Sequence, residues 1–178
     1  MKRAAPELSP AERGRLRDLA ELAAQRAASS LARFAGVFVQ ASGLRELEPA
    51  KLPSFDTGVT FSVEGWLTGH VALFVDSLSR RSLVKLLLDE EEPEAPADMV
   101  ASGLCELANI LASQAVSAIA DACGERISLS VPDLSLELAS GRFCEARAAR
   151  GKGAPAFASE LVARDLELRI LLVIAPDA

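Results

Sequence analysis

Ser102, Glu106, Asn109 and Ser113 fall at i, i+4, i+7 and i+11 of a leucine- and alanine-rich run. At about 100° per residue they share a helical strip roughly 60° wide. Leu104, Leu107, Leu111, Ala115, Ala118 and Ala122 fall on the other side, as a core-facing stripe should. A helix from Asp98 to about Cys123, stopped by Gly124, therefore presents a carboxylate and a carboxamide together on its polar face. Many surface helices have such a face, so the spacing alone does not assign chemistry.

Other chemistries are poorly supplied. Cys105, Cys123 and Cys144 are odd in number and 18 and 21 positions apart, which fits neither a disulfide framework nor paired zinc ligands. Reduced, buried thiols are the expectation. His70 is the single histidine and has no Ser, Cys or Asp at triad-like spacing, so it reads as structural or surface. Gly151 and Gly153 flank Lys152 without the strand, loop and helix of a phosphate-binding motif. Nineteen Lys and Arg against twenty-five Asp and Glu leave a net charge of −6, which opposes binding to nucleic acid or anionic lipid. No run of residues reads as the roughly 18 to 20 apolar positions that cross a bilayer. The start, MKRAAPELSPAERGRLRD, lacks the apolar block of a secretory signal. A soluble, cytoplasmic protein is expected.

The 178 residues, 50% hydrophobic and 25% charged, suit one compact domain or two fused halves. Ser9-Pro10-Ala11-Glu12 has the form of a helix start, and the stripe Leu16, Leu19, Leu22, Ala23, Ala27 and Leu31 predicts a helix from Pro10 to about Ala35. Val37 to Gln40 reads as a strand. Val59 to Leu67 and His70 to Val75 read as a hairpin turning at Thr68-Gly69, and Asp76 or Ser77 is placed to cap a short helix through Leu88. Asp89 to Asp98, acidic and with Pro93 and Pro96, reads as an exposed linker. Beyond the long second helix, Ile127 to Val131, Phe157 to Ala163 and Leu166 to Ile174 are strand-like, and Arg142 to Ala149 is a candidate for one more strand.

The two sides of the linker echo each other. At an offset of 85, Leu19 to Ala27 (LAELAAQRA) lies over Leu104 to Ala112 (LCELANILA), sharing Leu, Glu, Leu and alanine positions, and FSVE at Phe61 echoes FASE at Phe157. The expectation is one α+β domain over 1–178 made of two repeats, about 9–88 and 98–178 joined by linker 89–98. Each repeat is a helix-plus-strands unit. They share a mainly antiparallel sheet in a pseudo-twofold two-layer arrangement, with the two long helices packed on one face. A receiver domain, with its alternating strands and helices around a parallel sheet, does not fit this order.

Ser102-x3-Glu106-x2-Asn109-x22-Pro132 resembles the motif of the CheC, CheX and FliY phosphatases of bacterial chemotaxis, Asp or Ser-x3-Glu-x2-Asn-x22-Pro. The contexts LCELANILA and ISLSVPDL are similar to the family's motif helix and its Ser-x-Pro strand end. FliY proteins carry an additional flagellar-switch domain for which 178 residues leave no room, so the resemblance points to CheC or CheX. The first half keeps only Glu21 at this offset: Ala24 stands at the Asn position, Arg17 at the Ser position and Leu47 at the Pro position. One intact site and one degenerate site are therefore expected.

The resemblance implies a hydrolase whose substrate is the aspartyl phosphate of a CheY-type response regulator in two-component signalling. Asn109 would hold an attacking water, because a carboxamide both donates and accepts. Glu106 would pair with the regulator's active-site lysine, with Ser102 and Pro132 in support. No cofactor and no metal is expected on this chain, and magnesium belongs to the phosphorylated partner. The resemblance also allows a non-catalytic adaptor that binds the deamidase CheD or a receiver domain, and either a monomer or a homodimer.

Overall fold

Ser9 starts the first element. In the computed structural model of the chain, which describes residues 8–48, 51–92, 94–150 and 155–177, α1 spans Pro10–Ala35. The Ser9 amide donates to Glu12 Oε2 at 2.8 Å and the Glu12 amide donates to Ser9 Oγ, which closes the capping box. The same contacts, led by the Ser9 hydroxyl, hold the Glu12 carboxyl below its ordinary range. Two short strands follow, β1 (Gln40–Ala41) and β2 (Arg45–Leu47), and then the hairpin β3 (Thr57–Gly65) and β4 (Gly69–Val75). Asp76 caps α2 (Ser77–Leu88) by accepting from the Ser79 amide at 2.7 Å. The acidic linker turns over to α3 (Ala97–Cys123), with its glutamates Glu91 and Glu92 paired to Lys85 and Arg80 of α2.

The second half continues with β5 (Ile127–Leu129), β6 (Asp133–Ser135), α4 (Ala139–Arg150), β7 (Ala156–Ala163) and β8 (Leu168–Pro176). The segment expected as a strand over Arg142 to Ala149 is thus helical. Ala139, Phe143 and Arg147 recur every four residues and are all buried, a helical period that the scarcity of larger apolar residues conceals. β2 lies between β1 and the hairpin, where no element was expected, and the strand expected over Val37 to Gln40 is shorter and begins at Gln40.

All eight strands join one antiparallel sheet with the main order β1-β7-β8-β4-β3-β5, β2 also pairing with β7 and β6 with β3. The short strands of each half add to the long hairpin of the other. β1 and β2 lie on β7, and β5 and β6 lie on β3. Neither half therefore completes its sheet alone. The central pair β4 and β8 has Ala72 opposite Val173, and the pairings on either side repeat about that point.

Alternation along the strands divides the interior. Val59, Phe61, Val63, Val71, Leu73, Leu161, Ile170, Leu172 and Ile174 face α1, α3 and the inner side of α2 in the main core. Ala72, Phe74, Ala158, Leu171 and Val173 face α4, where Phe74 and Phe143 meet edge to face at 5.6 Å. The two long helices share one face as expected, and a smaller core closes the other. His70 is buried in that second layer, edge-on to the Phe143 ring at 6.1 Å. The three cysteines are free thiols and half-buried. Phe143→Ala should lower unfolding stability by about 3 to 5 kcal/mol, measured by denaturant titration, because it empties the contact that holds α4 on the sheet.

Candidate functional site

The rotation of α3 about its axis is fixed by Leu104, Leu107, Ala108, Leu111, Ala112 and Ala115, all buried against the sheet or α1. Each fully buried leucine is worth roughly 1.5 to 3 kcal/mol relative to exposure. Turning the helix would forfeit several such terms. Ser102, Glu106 and Asn109 consequently stand exposed on the outer side. Ser113, the fourth member of the strip, is half-buried, and Ala122, expected in the core stripe, is exposed. Glu106 and Asn109 are i, i+3 neighbours on one surface. Neither side chain has a hydrogen-bond or ion-pair partner among the described residues, so both are available to an incoming molecule.

α3 is long and apolar enough to cross a membrane by length and composition, which the sequence reading did not anticipate. Half of that apolar window is buried in the fold, and Glu106 and Asn109 lie among its exposed residues. Its apolar face serves the core.

Pro132 lies half-buried between β5 and β6. The loop is clamped to β3 at Ser130, whose amide donates to Ser62 O at 2.9 Å and whose Oγ accepts from the Ser62 amide at 2.9 Å. The same hydroxyl donates to Val131 O at 2.9 Å. Burial, and secondarily the Asp133 carboxylate, push up the pKa of the Cys105 thiol. α3 packs against both β5 and β6, which brings the strand ends around Pro132 to the motif helix. Ser102, Glu106 and Asn109 share the outer side of α3, and the small apolar cavity lined by Leu104, Leu107 and Leu111 lies on its inner side. Exposed polar groups of this kind suit a partner that supplies the pocket itself.

The internal repeat corrects the expected alignment. Gly36 and Gly124 end α1 and α3 with the same left-handed conformation (φ 68°, ψ 23°) and are 88 positions apart. β2 and β6, Arg45–Leu47 and Asp133–Ser135, have that same separation. The buried positions also superimpose at 88, Ala23 and Ala24 on Leu111 and Ala112. The offset of 85 misplaces the helix by nearly one turn. At 88 the residues matching Ser102, Glu106, Asn109 and Pro132 are Gly14, Asp18, Glu21 and Leu44, not Arg17, Glu21, Ala24 and Leu47. Ala24 is a core residue, 2% exposed. Alanines common to both helices favoured the wrong register, whereas the two terminal glycines carried the right one. The first face thus has an acid at the acidic position and lacks the amide. It is also bridged, with Arg17 Nη2 donating to Leu44 O at 3.3 Å and Arg13 paired with Glu46 at 3.3 Å.

The CheC-like family model matches residues 99–136, the segment from the start of the motif helix to the end of β6. Across the whole fold, the chain is similar to CheX of a Desulfovibrio desulfuricans subspecies (13% identity, 90% of this chain and 99% of that chain covered, TM-score 0.67). It is also similar to Thermotoga maritima FliY (18%, 94% and 91%, TM-score 0.70). A CheC-like segment thus lies within a chain that shares the fold of CheX and FliY. A third similar structure is the CheX-CheY-BeF3-Mg complex of Borrelia burgdorferi (21%, 91% and 99%, TM-score 0.67). Comparison with curated proteins by sequence finds no match. The likeness extends to both CheX and FliY, so the fold does not distinguish between them. Ser130→Ala should cost about 1 kcal/mol and speed hydrogen exchange of the Ser62 amide, because it removes the clamp that holds the Pro132 loop.

Proposed function

We propose that this chain is a cytoplasmic phosphatase that hydrolyses the aspartyl phosphate of a CheY-type response regulator. The observation that carries the reading is the exposure of Glu106 and Asn109, side by side on a helix whose rotation the core fixes. The complex of a structurally similar CheX with CheY and BeF3-Mg supports a receiver as the partner.

In the proposed reaction the helix face docks over the receiver's phosphorylated aspartate. Asn109 enters the pocket and its carboxamide accepts from, and donates to, a water molecule, holding the water in line with phosphorus. The water oxygen bonds to phosphorus as the bond from phosphorus to the acyl oxygen breaks. The receiver carboxylate leaves, and the water's proton passes to phosphate and solvent. Magnesium, bound by the receiver, neutralises charge on the phosphoryl oxygens. Glu106 pairs with the receiver's lysine and fixes the register of docking, while Ser102 and the Pro132 loop support the contact. The contribution is positional, and no nucleophile of this chain is used.

The acid at Glu21 cannot replace the amide, since an ionised carboxylate accepts but does not donate and places negative charge beside a phosphoryl group. The chain accordingly has one working site. Phosphate release from a phosphorylated CheY-type receiver should fall roughly 100-fold in Asn109→Ala and remain at the wild-type rate in Glu21→Ala, with both variants folded. Unchanged turnover in Asn109→Ala, or binding of the receiver by wild-type protein without any acceleration of phosphate release, would overturn the reading.

A further inference from the structure

Two apolar side chains stand in solvent beside the motif, and the catalytic proposal uses neither. Met99 is 48% exposed and Val131 is 82% exposed. Met99 precedes Glu106 by seven positions, which places it about 20° around the helix and roughly 10 Å along its axis from Glu106. Val131 adjoins Pro132 in the loop clamped by Ser130 and Ser62. One apolar group is thus carried by the first turn of the motif helix and the other by the connection between β5 and β6, the two strands that pack against that helix.

Scattered exposed apolar residues are ordinary. These two differ because the fold contains its own comparison. At the offset of 88, Met99 corresponds to Ala11 and Val131 to Gly43. The same first-half face has lost the amide at Glu21, the hydroxyl at Gly14 and the proline at Leu44. Met99, Val131 and the polar motif occur together on one face, and none of them is kept at the corresponding positions of the other. Neither apolar group belongs to a buried core cluster, so demands of folding do not account for them.

Resting on the phosphatase reading, we infer that Met99 and Val131 are apolar docking anchors for the phosphorylated receiver, flanking the Glu106 and Asn109 pair. The polar pair alone gives little binding, because ion pairs at a hydrated surface contribute modestly. Apolar anchors around a polar centre supply contact area and exclude water from the reacting group. The unbranched thioether of Met99 adapts to the partner surface, whereas Val131 is held by a loop with fixed hydrogen bonds. The occupant is a receiver domain with its acidic pocket loaded by magnesium and a phosphoryl group, and its lysine meets Glu106 at the middle of the footprint. The twofold-related face, without either anchor, does not bind it.

The test uses a CheY-type receiver loaded with magnesium and beryllofluoride for binding, and the phosphorylated receiver for turnover. Met99→Ser and Val131→Ser should each raise Kd and KM about 5- to 10-fold and leave kcat unchanged, with the double variant weaker than either. Leu78→Ser, which alters an apolar residue 51% exposed at the start of α2, should change neither. Asn109→Ala should instead reduce kcat and retain binding. A double variant with wild-type Kd and KM, alongside an Asn109→Ala protein that has lost turnover, overturns the docking assignment and leaves the phosphatase reading standing. Weakened binding in the double variant, with full turnover in Asn109→Ala, preserves the anchors and overturns the catalytic role. Wild-type protein that binds no loaded receiver overturns both.

Discussion

Burial of one side of α3 sets the direction of everything on its other side. Leu104, Leu107 and Leu111 are each at most 5% exposed, and they lie on the main core with Phe61, Leu172 and the alanines of α1. The helix has no side-chain cap at its N-terminus and ends on a left-handed glycine. Its orientation therefore comes from packing. A polar pair on a helix held this way loses little backbone freedom on docking, which is the physical advantage of placing it on a rigid element instead of a loop.

The sheet ties together two similar halves although only one of them carries the candidate motif. Each half lends its two short strands to the other's hairpin, so both halves are needed to complete the sheet although one outer face lacks the motif. Core positions on α1 and α3 remain equivalent because the shared sheet constrains both. The outer positions carry no such constraint. Asp18 and Glu21 occupy the places of Glu106 and Asn109, and Arg17 bridges to the strand-end backbone where the second half has Cys105.

Much of this arrangement was legible in the sequence. The capping box at Ser9, the stripe on α3, the Thr68-Gly69 turn and the terminal glycines are local signals, and local physics decided those elements. The predominance of antiparallel pairing followed from strand-like runs that meet at such turns. Three features depended on tertiary context. The α4 helix buries one phenylalanine and an arginine among small or polar residues, so its periodicity was obscured. Repeat register rested on alanines that recur on any alanine-rich helix, and they favoured an offset three residues short. The exposure of Met99 and Val131 could not be read before the second half's strand ends were placed against α3.

The central claim is that the Asn109 amide acts on water after docking has occurred. Its most direct measurement is the single-turnover decay of a phosphorylated receiver mixed with increasing excess of wild-type protein or Asn109→Asp. Wild type should show a saturating rate and the variant a plateau lowered by at least about tenfold, with both measured in the presence of magnesium. Equal plateaus for the two proteins would contradict that claim, because a carboxylate cannot donate the hydrogen bond that the mechanism assigns to the amide.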